Sequence, residues 1–424
     1  MKLTKEELEI LDGSQGNAKQ RAMELLVKYG EALGAEKFVE VTNVTGGIGG
    51  SPQIRNFADQ VGDMDAVFSE FKLNSNERVE IPRLEAFSTA LTNTMDPLCW
   101  KIQNATESAY KWGVKCEDYS KTIDMHCAFT CAPYVVGIMP VFGEHCAWME
   151  SSAISFCNSV IGGRTNTEGL ESTGAAALVK RIPYWGLHIK ENRYATHQID
   201  VKIEVDSNKD WGLLGYYFGK MVQEKVPVIN GIGSQPNLIK LKHCCAAAAS
   251  SGGVEMYHIA GKTPEAKTLE EALGNKKPLE VFPYGEKERK EIYEHLNSGN
   301  SEDVDFVVLG CPHGTLEEIW QVVRFLDGRK INGNSALWIF VPRAIKDMAD
   351  RQGYTEIIEK AGGHIMADTC PAMAKVFPKG TKTAATNSAK QAHYFPSLTG
   401  IGTFYGSTKE CIEAAVSGKW RGEL

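Results

Sequence analysis

No run of apolar residues in this chain is long enough to cross a bilayer. Runs such as those at 246–249 and Phe306–Leu309 fall far short of the roughly 20 residues a spanning helix needs. The opening MKLTKEELEILDG is charged throughout and has neither an apolar signal region nor a small-residue cleavage site, so a cytoplasmic location is expected. No basic tract offsets the net charge of −7, which argues against a nucleic-acid partner. There is no C-x-x-C pair, no ligand spacing of a zinc finger, no Walker pattern, no internal repeat and no low-complexity tract. The loop TGGIGGS at 45–51 fails the dinucleotide fingerprint, because Pro52 stands where the third glycine belongs. Gly231-Ile232-Gly233 fails likewise at Pro236.

What is present describes a globular chain of 424 residues, 43% apolar and 23% charged, long enough for two or three domains and a large core without disulfide staples. Its eleven cysteines, an odd count without a signal peptide, are expected as reduced thiols, some buried and some available to a metal. They concentrate in 126–169, HCAFTCAPYVVGIMPVFGEHCAWMESSAISFCNSVIGGRTNTEG, where four cysteines mix with two histidines, three glutamates and an arginine. Soft ligands, carboxylates and an anion-binding arginine in one stretch point to a reaction site with a metal.

Helical periodicity is read at 6–11, behind a Thr4/Glu7 capping box, and at 17–33, 104–112, 145–159, 171–179, 211–223 and 235–249. Strands are expected at 38–42, 184–188, 226–229 and 254–260, and strand or short helix at 65–71 and 78–81. Composition shifts at 262–303, rich in lysine and glutamate, which reads as a connecting excursion between an N-terminal region (1–261) and a C-terminal lobe (304–424). In that lobe strands at Phe306–Leu309, Ala336–Val341, His364–Ala367, Thr383–Thr386 and Gly402–Tyr405 are interleaved with helices. The pattern predicts an α/β fold with a mainly parallel sheet and ligands at the carboxyl ends of its strands.

Two of those strand ends carry a cysteine next to proline: Gly310-Cys311-Pro312-His313-Gly314 and Asp368-Thr369-Cys370-Pro371. Cys131, in Thr130-Cys131-Ala132-Pro133, has the same character. Three thiols on separate loops suit an iron–sulfur cluster; three unrelated buried cysteines, or zinc held through Cys311 and His313 or His126 and Cys127, are the alternatives. The backbone at Gly46 and Gly47 could cradle an anion, or be a plain turn. Arg164, with Thr165 and Asn166, follows a Gly-Gly pair and can fork onto a carboxylate or phosphate, or be a surface arginine. Glu144, His145 and Glu150, with Ser151 and Ser152, are candidates for proton transfer and for substrate contact. Asn387, Ser388 and Lys390 form a further polar cluster at a helix start, where Asn387 and Ser388 could simply cap.

The segments CAPYVVGIMPVFGEHCAWMESSAISFCNSVIGGRTNTEG, GCPHGTLEE, ADTC and TAATNSAKQAHYFPSL, in this order, resemble the aconitase X family, as do the opening MKLTKEELEILDG and the ending STKECIEAAVSG. The resemblance implies an aconitase-like, multi-lobed catalytic region of mainly parallel sheets flanked by helices, with Cys131, Cys311 and Cys370 holding an iron–sulfur cluster of [2Fe-2S], [3Fe-4S] or [4Fe-4S] type. It implies an elimination of water from a small hydroxy acid, assisted by that cluster. The substrate would be cis-3-hydroxy-L-proline, giving Δ1-pyrroline-2-carboxylate, or else mevalonate 5-phosphate. The stretch VGDMDAVFSEFKLNSNERVEIP is more similar to the hydroxyproline branch. Arg164, Thr165, Asn166, His313 and the 386–390 cluster would contact substrate. With no swivelling domain after the last helix, a separate small subunit is expected to supply it. A cluster-binding subunit without catalysis of its own is the rival function.

Overall fold

The structure is a computed structural model, and it describes residues 1–47, 79–93, 95–299 and 301–424. Among these residues the architecture is α/β: three parallel sheets flanked by helices, with one short antiparallel ribbon, Phe38–Glu40 against Arg181–Pro183. The first sheet runs in the order Met125–His126, Phe87–Ala90, Asn43–Gly46, Ala147–Trp148. The middle sheet runs Glu280–Tyr284, His197–Val201, Pro227–Asn230, His258–Ile259. The third has five strands, His364–Ala367, Ala336–Val341, Phe306–Leu309, Thr383–Thr386 and Gly402–Tyr405. Among the described residues no helix is long and apolar enough to cross a membrane.

Local sequence explains these elements. The central strand Phe306–Leu309, FVVL, is buried along its whole length, as a parallel strand covered on both faces must be. Helices begin where a hydroxyl accepts an orphan N–H and an acidic side chain answers it: Thr4 with Glu7, Ser207 with Asp210, Thr315 with Glu318, Ser407 with Glu410.

The structure departs from sequence expectation in informative places. The helix expected over 145–159 is three elements: strand Ala147–Trp148, helix Ser151–Phe156 and a wide turn Cys157–Ile161 that stops at Gly162. Ala147 and Trp148 are fully buried and pair with Val44 and Thr45, and sheet pairing outweighs helical periodicity there. Strand 184–188 shifts to Arg181–Pro183 and gives way to a tight turn at Gly186–His188. The charged stretch 262–303 supplies edge strand Glu280–Tyr284 and helix Glu286–Leu296 to the middle sheet, which therefore draws strands from both sides of residue 261. An edge strand and a one-sided helix need few apolar residues. The element expected at 65–71, most of the stretch from 61 to 82 and the end of the 45–51 loop lie outside the described residues.

The first and third sheets are joined by direct bonds. Asn93 bridges Thr369 in parallel, its N–H donating to the Asp368 carbonyl at 2.7 Å. Buried Asp96 accepts from the Ala367 N–H at 2.7 Å. Arg343 pairs with Asp368 at 2.6 Å and reaches Glu117, on helix Glu107–Thr122, at 3.5 Å.

Candidate active site

The carboxyl ends of strands from these two sheets open onto one cavity of about 410 Å³. From the first sheet come Gly46 and Gly47, Asn93, Cys131 and the Glu150-Ser151-Ser152 turn; from the third come Cys311, Cys370, Lys390 and Gln391. Phe129, Met149, Met373, Tyr394 and Leu398 complete much of the apolar wall. Cavities at this edge of parallel sheets are where α/β proteins place ligands.

Backbone geometry sets the thiols. Gly310 ends Phe306–Leu309 at φ +87°, and a Cβ there would stand 2.0 Å from the Phe340 carbonyl oxygen, so only glycine makes this turn. Cys311 follows, joined to Pro312 by a cis peptide. Cys370 caps the short helix Pro371–Ala374. Cys131 precedes the tight turn Pro133–Val136.

Each sulfur receives hydrogen bonds. The His313 N–H donates to Cys131 Sγ at 3.3 Å, the Ser388 hydroxyl bonds Cys311, and backbone N–H groups of Met373 and Ala372 approach Cys370. Burial, together with their mutual repulsion as thiolates, pushes Cys131 well up and Cys311 to about 12; burial also raises Cys370.

His313 holds the three cysteine loops together. Its Nε2–H donates to the Thr369 carbonyl at 2.8 Å, beside Cys370, and its Nδ1 accepts from the Thr130 hydroxyl at 3.1 Å, beside Cys131. Burial drives its pKa down to about 4, so the ring is neutral, consistent with one donor and one acceptor. Expected among the substrate contacts, it instead sits behind the wall with both ring nitrogens bonded. Fully buried Lys242, from helix Leu238–Gly252, braces the same loop from below. Its Nζ donates to the carbonyls of Pro312 at 3.2 Å and His313 at 3.1 Å, and to Glu318 at 2.6 Å. Neither role had a local sequence signal: Lys242 is one of two lysines in the first turns of its helix.

Opposite the thiols, Lys390 makes a close ion pair with Glu150 and donates to Ser151 Oγ at 3.2 Å and Ser152 Oγ at 3.5 Å. Burial raises the Glu150 pKa, but the Lys390 ammonium and the Ser152 hydroxyl outweigh it and hold the carboxyl below its ordinary range.

The other expected residues do not line this cavity. Glu144 accepts from the Val141 N–H in a surface turn. His145 is spent on His188, Nδ1 to Nδ1 at 2.9 Å, and burial lowers its pKa to about 4. Arg164 donates to the His188 carbonyl at 3.1 Å and lines a second cavity with Arg193, His258 and Glu265. Thr165 and Asn166 are buried braces. Thr165 Oγ1 accepts from the Trp148 N–H at 3.0 Å, and Asn166 Oδ1 from the Leu187 N–H at 2.7 Å. The break at Ala147–Trp148 turns Glu144, His145 and Arg164 away from Glu150. Asn387 is buried and donates to Thr408 at 3.0 Å, while Ser388 caps helix Ala389–Thr399.

A cavity lined by thiols, a carboxylate and a lysine, where strands of two parallel sheets end, defines an α/β enzyme. Comparison with known proteins says of which kind. Family models for the first, second and third domains of aconitase X match residues 1–191, 195–294 and 304–417. The phosphomevalonate dehydratase large subunit of Methanocaldococcus jannaschii is 37% identical over 97% of this chain and 100% of its own length. The cis-3-hydroxy-L-proline dehydratase of Hypocrea jecorina is 31% identical over 99% of this chain but 69% of its own length. The crystal structure of Thermococcus kodakaraensis aconitase X in its holo-form superposes with a TM-score of 0.82 at 32% identity, covering 98% of this chain and 100% of that one. The chain belongs to the aconitase X family, and it is a hydro-lyase, a dehydratase.

Proposed function

We propose that this chain is the large subunit of a cytoplasmic iron–sulfur dehydratase that converts cis-3-hydroxy-L-proline to Δ1-pyrroline-2-carboxylate together with a small swivelling-domain subunit. The observation that carries the reading is the cavity itself, in which three thiols face a lysine–glutamate pair. The donor set fits a cluster. Three sulfurs from three loops each accept hydrogen bonds, and thiols that burial keeps neutral on their own need a cationic group among them to ionise. His313, whose two ring nitrogens bond the Thr130 hydroxyl and the Thr369 carbonyl, is not free to join Cys311 in holding a lone zinc.

Cys131, Cys311 and Cys370 would hold the cluster, which would supply Lewis acidity toward the departing hydroxyl. The chain's own residues do the rest. Lys390 binds the substrate carboxylate, oriented by Ser151 and Ser152. Glu150, held ionised, begins as a proton acceptor, and the proton it takes can leave with the hydroxide as water.

A zwitterionic imino acid suits a wall that offers one cation and one anion. Among the described lining residues Lys390 is the sole cation, whereas a substrate carrying both a carboxylate and a phosphate dianion calls for more than one. The second reading, mevalonate 5-phosphate, is favoured by the 37% identity and full-length match to a phosphomevalonate dehydratase large subunit. The partner is supported by relatives named as large subunits and by hydroxyproline dehydratases extending well beyond the match. Anaerobic assay of the reconstituted two-subunit complex with both substrates tests the proposal. Dehydration of cis-3-hydroxy-L-proline is expected, and turnover of mevalonate 5-phosphate alone transfers the assignment to the second reading.

A further inference from the structure

Gln391 occupies the third position of helix Ala389–Thr399, whose cap is Ser388. A glutamine there ordinarily reaches back to the N–H of the capping residue and closes a capping box. Here that N–H is taken: Ser388 N donates to Thr386 Oγ1 at 3.2 Å. The Gln391 backbone N–H still donates to Ser388 Oγ at 3.1 Å, which fixes the residue, while its side chain is released into the cavity wall beside Lys390. The residue is 1% exposed, yet neither its amide oxygen nor its amide nitrogen has a hydrogen-bond partner among the described residues. Burying an amide with both ends unsatisfied costs folding free energy. A leucine of similar size would avoid that cost, so packing does not account for glutamine at this position.

We infer that Gln391 is a substrate-binding residue that reads the amino-acid end of the substrate. A primary amide presents one donor and one acceptor side by side. The adjacent carboxylate and ring ammonium of a cyclic imino acid present the complementary acceptor and donor. The amide nitrogen donates to the carboxylate that Lys390 also binds, and the amide oxygen accepts from the ring ammonium. A site built to hydrogen-bond both groups rejects analogues lacking either, because the buried amide is then left unpaired. Gln391 thereby confers selectivity for an α-imino acid over a plain hydroxy acid. This inference rests on the hydroxyproline reading.

The test is Gln391→Leu in the full two-subunit complex, with the large subunit alone as its control. With cis-3-hydroxy-L-proline, kcat/KM is expected to fall at least tenfold, chiefly through KM. The iron content should be unchanged, and the Tm of the free large subunit equal to or above that of the parent. A purely structural glutamine would instead lower Tm and leave KM in place. A kcat/KM within twofold of the parent, or a lowered Tm, overturns the inference. If the parent complex turns over mevalonate 5-phosphate and not hydroxyproline, the functional reading fails separately, and with it the ammonium contact. The same variant then decides on that substrate whether Gln391 touches substrate at all: an undiminished kcat/KM ends its role.

Discussion

Replacing His313 by leucine tests whether this residue builds the site or acts on substrate. The side chain is 1% exposed, and the substitution removes two hydrogen bonds, to the Thr369 carbonyl at 2.8 Å and from the Thr130 hydroxyl at 3.1 Å. Both partners belong to fully buried residues: the Thr369 carbonyl loses its partner, and the Thr130 hydroxyl loses its acceptor while still accepting from the Ala132 N–H. At about 1–3 kcal/mol for each orphaned group, the loss is about 2–6 kcal/mol. Much of it falls on the relative placement of the Cys131, Cys311 and Cys370 loops. The variant should therefore keep its helical circular dichroism but unfold at lower urea, and retain little iron after anaerobic reconstitution. His313→Gln, which keeps a donor and an acceptor, should recover part of both. A leucine variant with parental iron content and urea midpoint, and only a raised KM, would refute the clip and return His313 to the substrate contacts.

Lys242→Met leaves the Glu318 carboxylate buried with only His243 and Thr315 near it, and should destabilise the chain by about 3–5 kcal/mol in urea denaturation. Adding Glu318→Leu should restore a large part, and a double variant as unstable as the single would contradict a charge-burial origin. Burial raises the Glu168 pKa to about 7. A folded-state pKa above the unfolded value means that stability is lost as pH rises from about 4 through 7, in total about 3 kcal/mol. Glu168→Gln should accordingly match the parent at pH 4.5 and exceed it at pH 8; an equal difference at both would show that Glu168 does not titrate this way.

The parts of the site legible in the sequence were those tied to strand ends. Cys311 and Cys370 follow buried apolar strands that could be nothing else, and the proline beside each marks a fixed loop. Cys131 was harder to place from spacing, because its strand, Met125–His126, is only two residues long. Glu144, His145 and Arg164 were misplaced for one reason. The periodicity of 145–159 is compatible with a helix, and only pairing with Asn43–Gly46 makes part of it a strand and reverses which residues face the cavity. Lys242, the His313 clip and Gln391 depend on contacts between segments 56 to 183 residues apart, or on a bond that is not made, and neither leaves a local pattern.

The bonds from Asn93, Asp96 and Arg343 across the first and third sheets carry a mechanical consequence. They tie the chain after Phe87–Ala90, in the first sheet, to the end of His364–Ala367 beside Cys370, in the third, so the two walls behave as one block. Among the described lining residues, Met373 and Leu398 are the apolar side chains that reach solvent at the rim. Under the proposed two-subunit reading, the dwell time of product is then governed by the small subunit, not by a motion between these sheets. Stiffening or loosening this chain elsewhere should leave it unaltered.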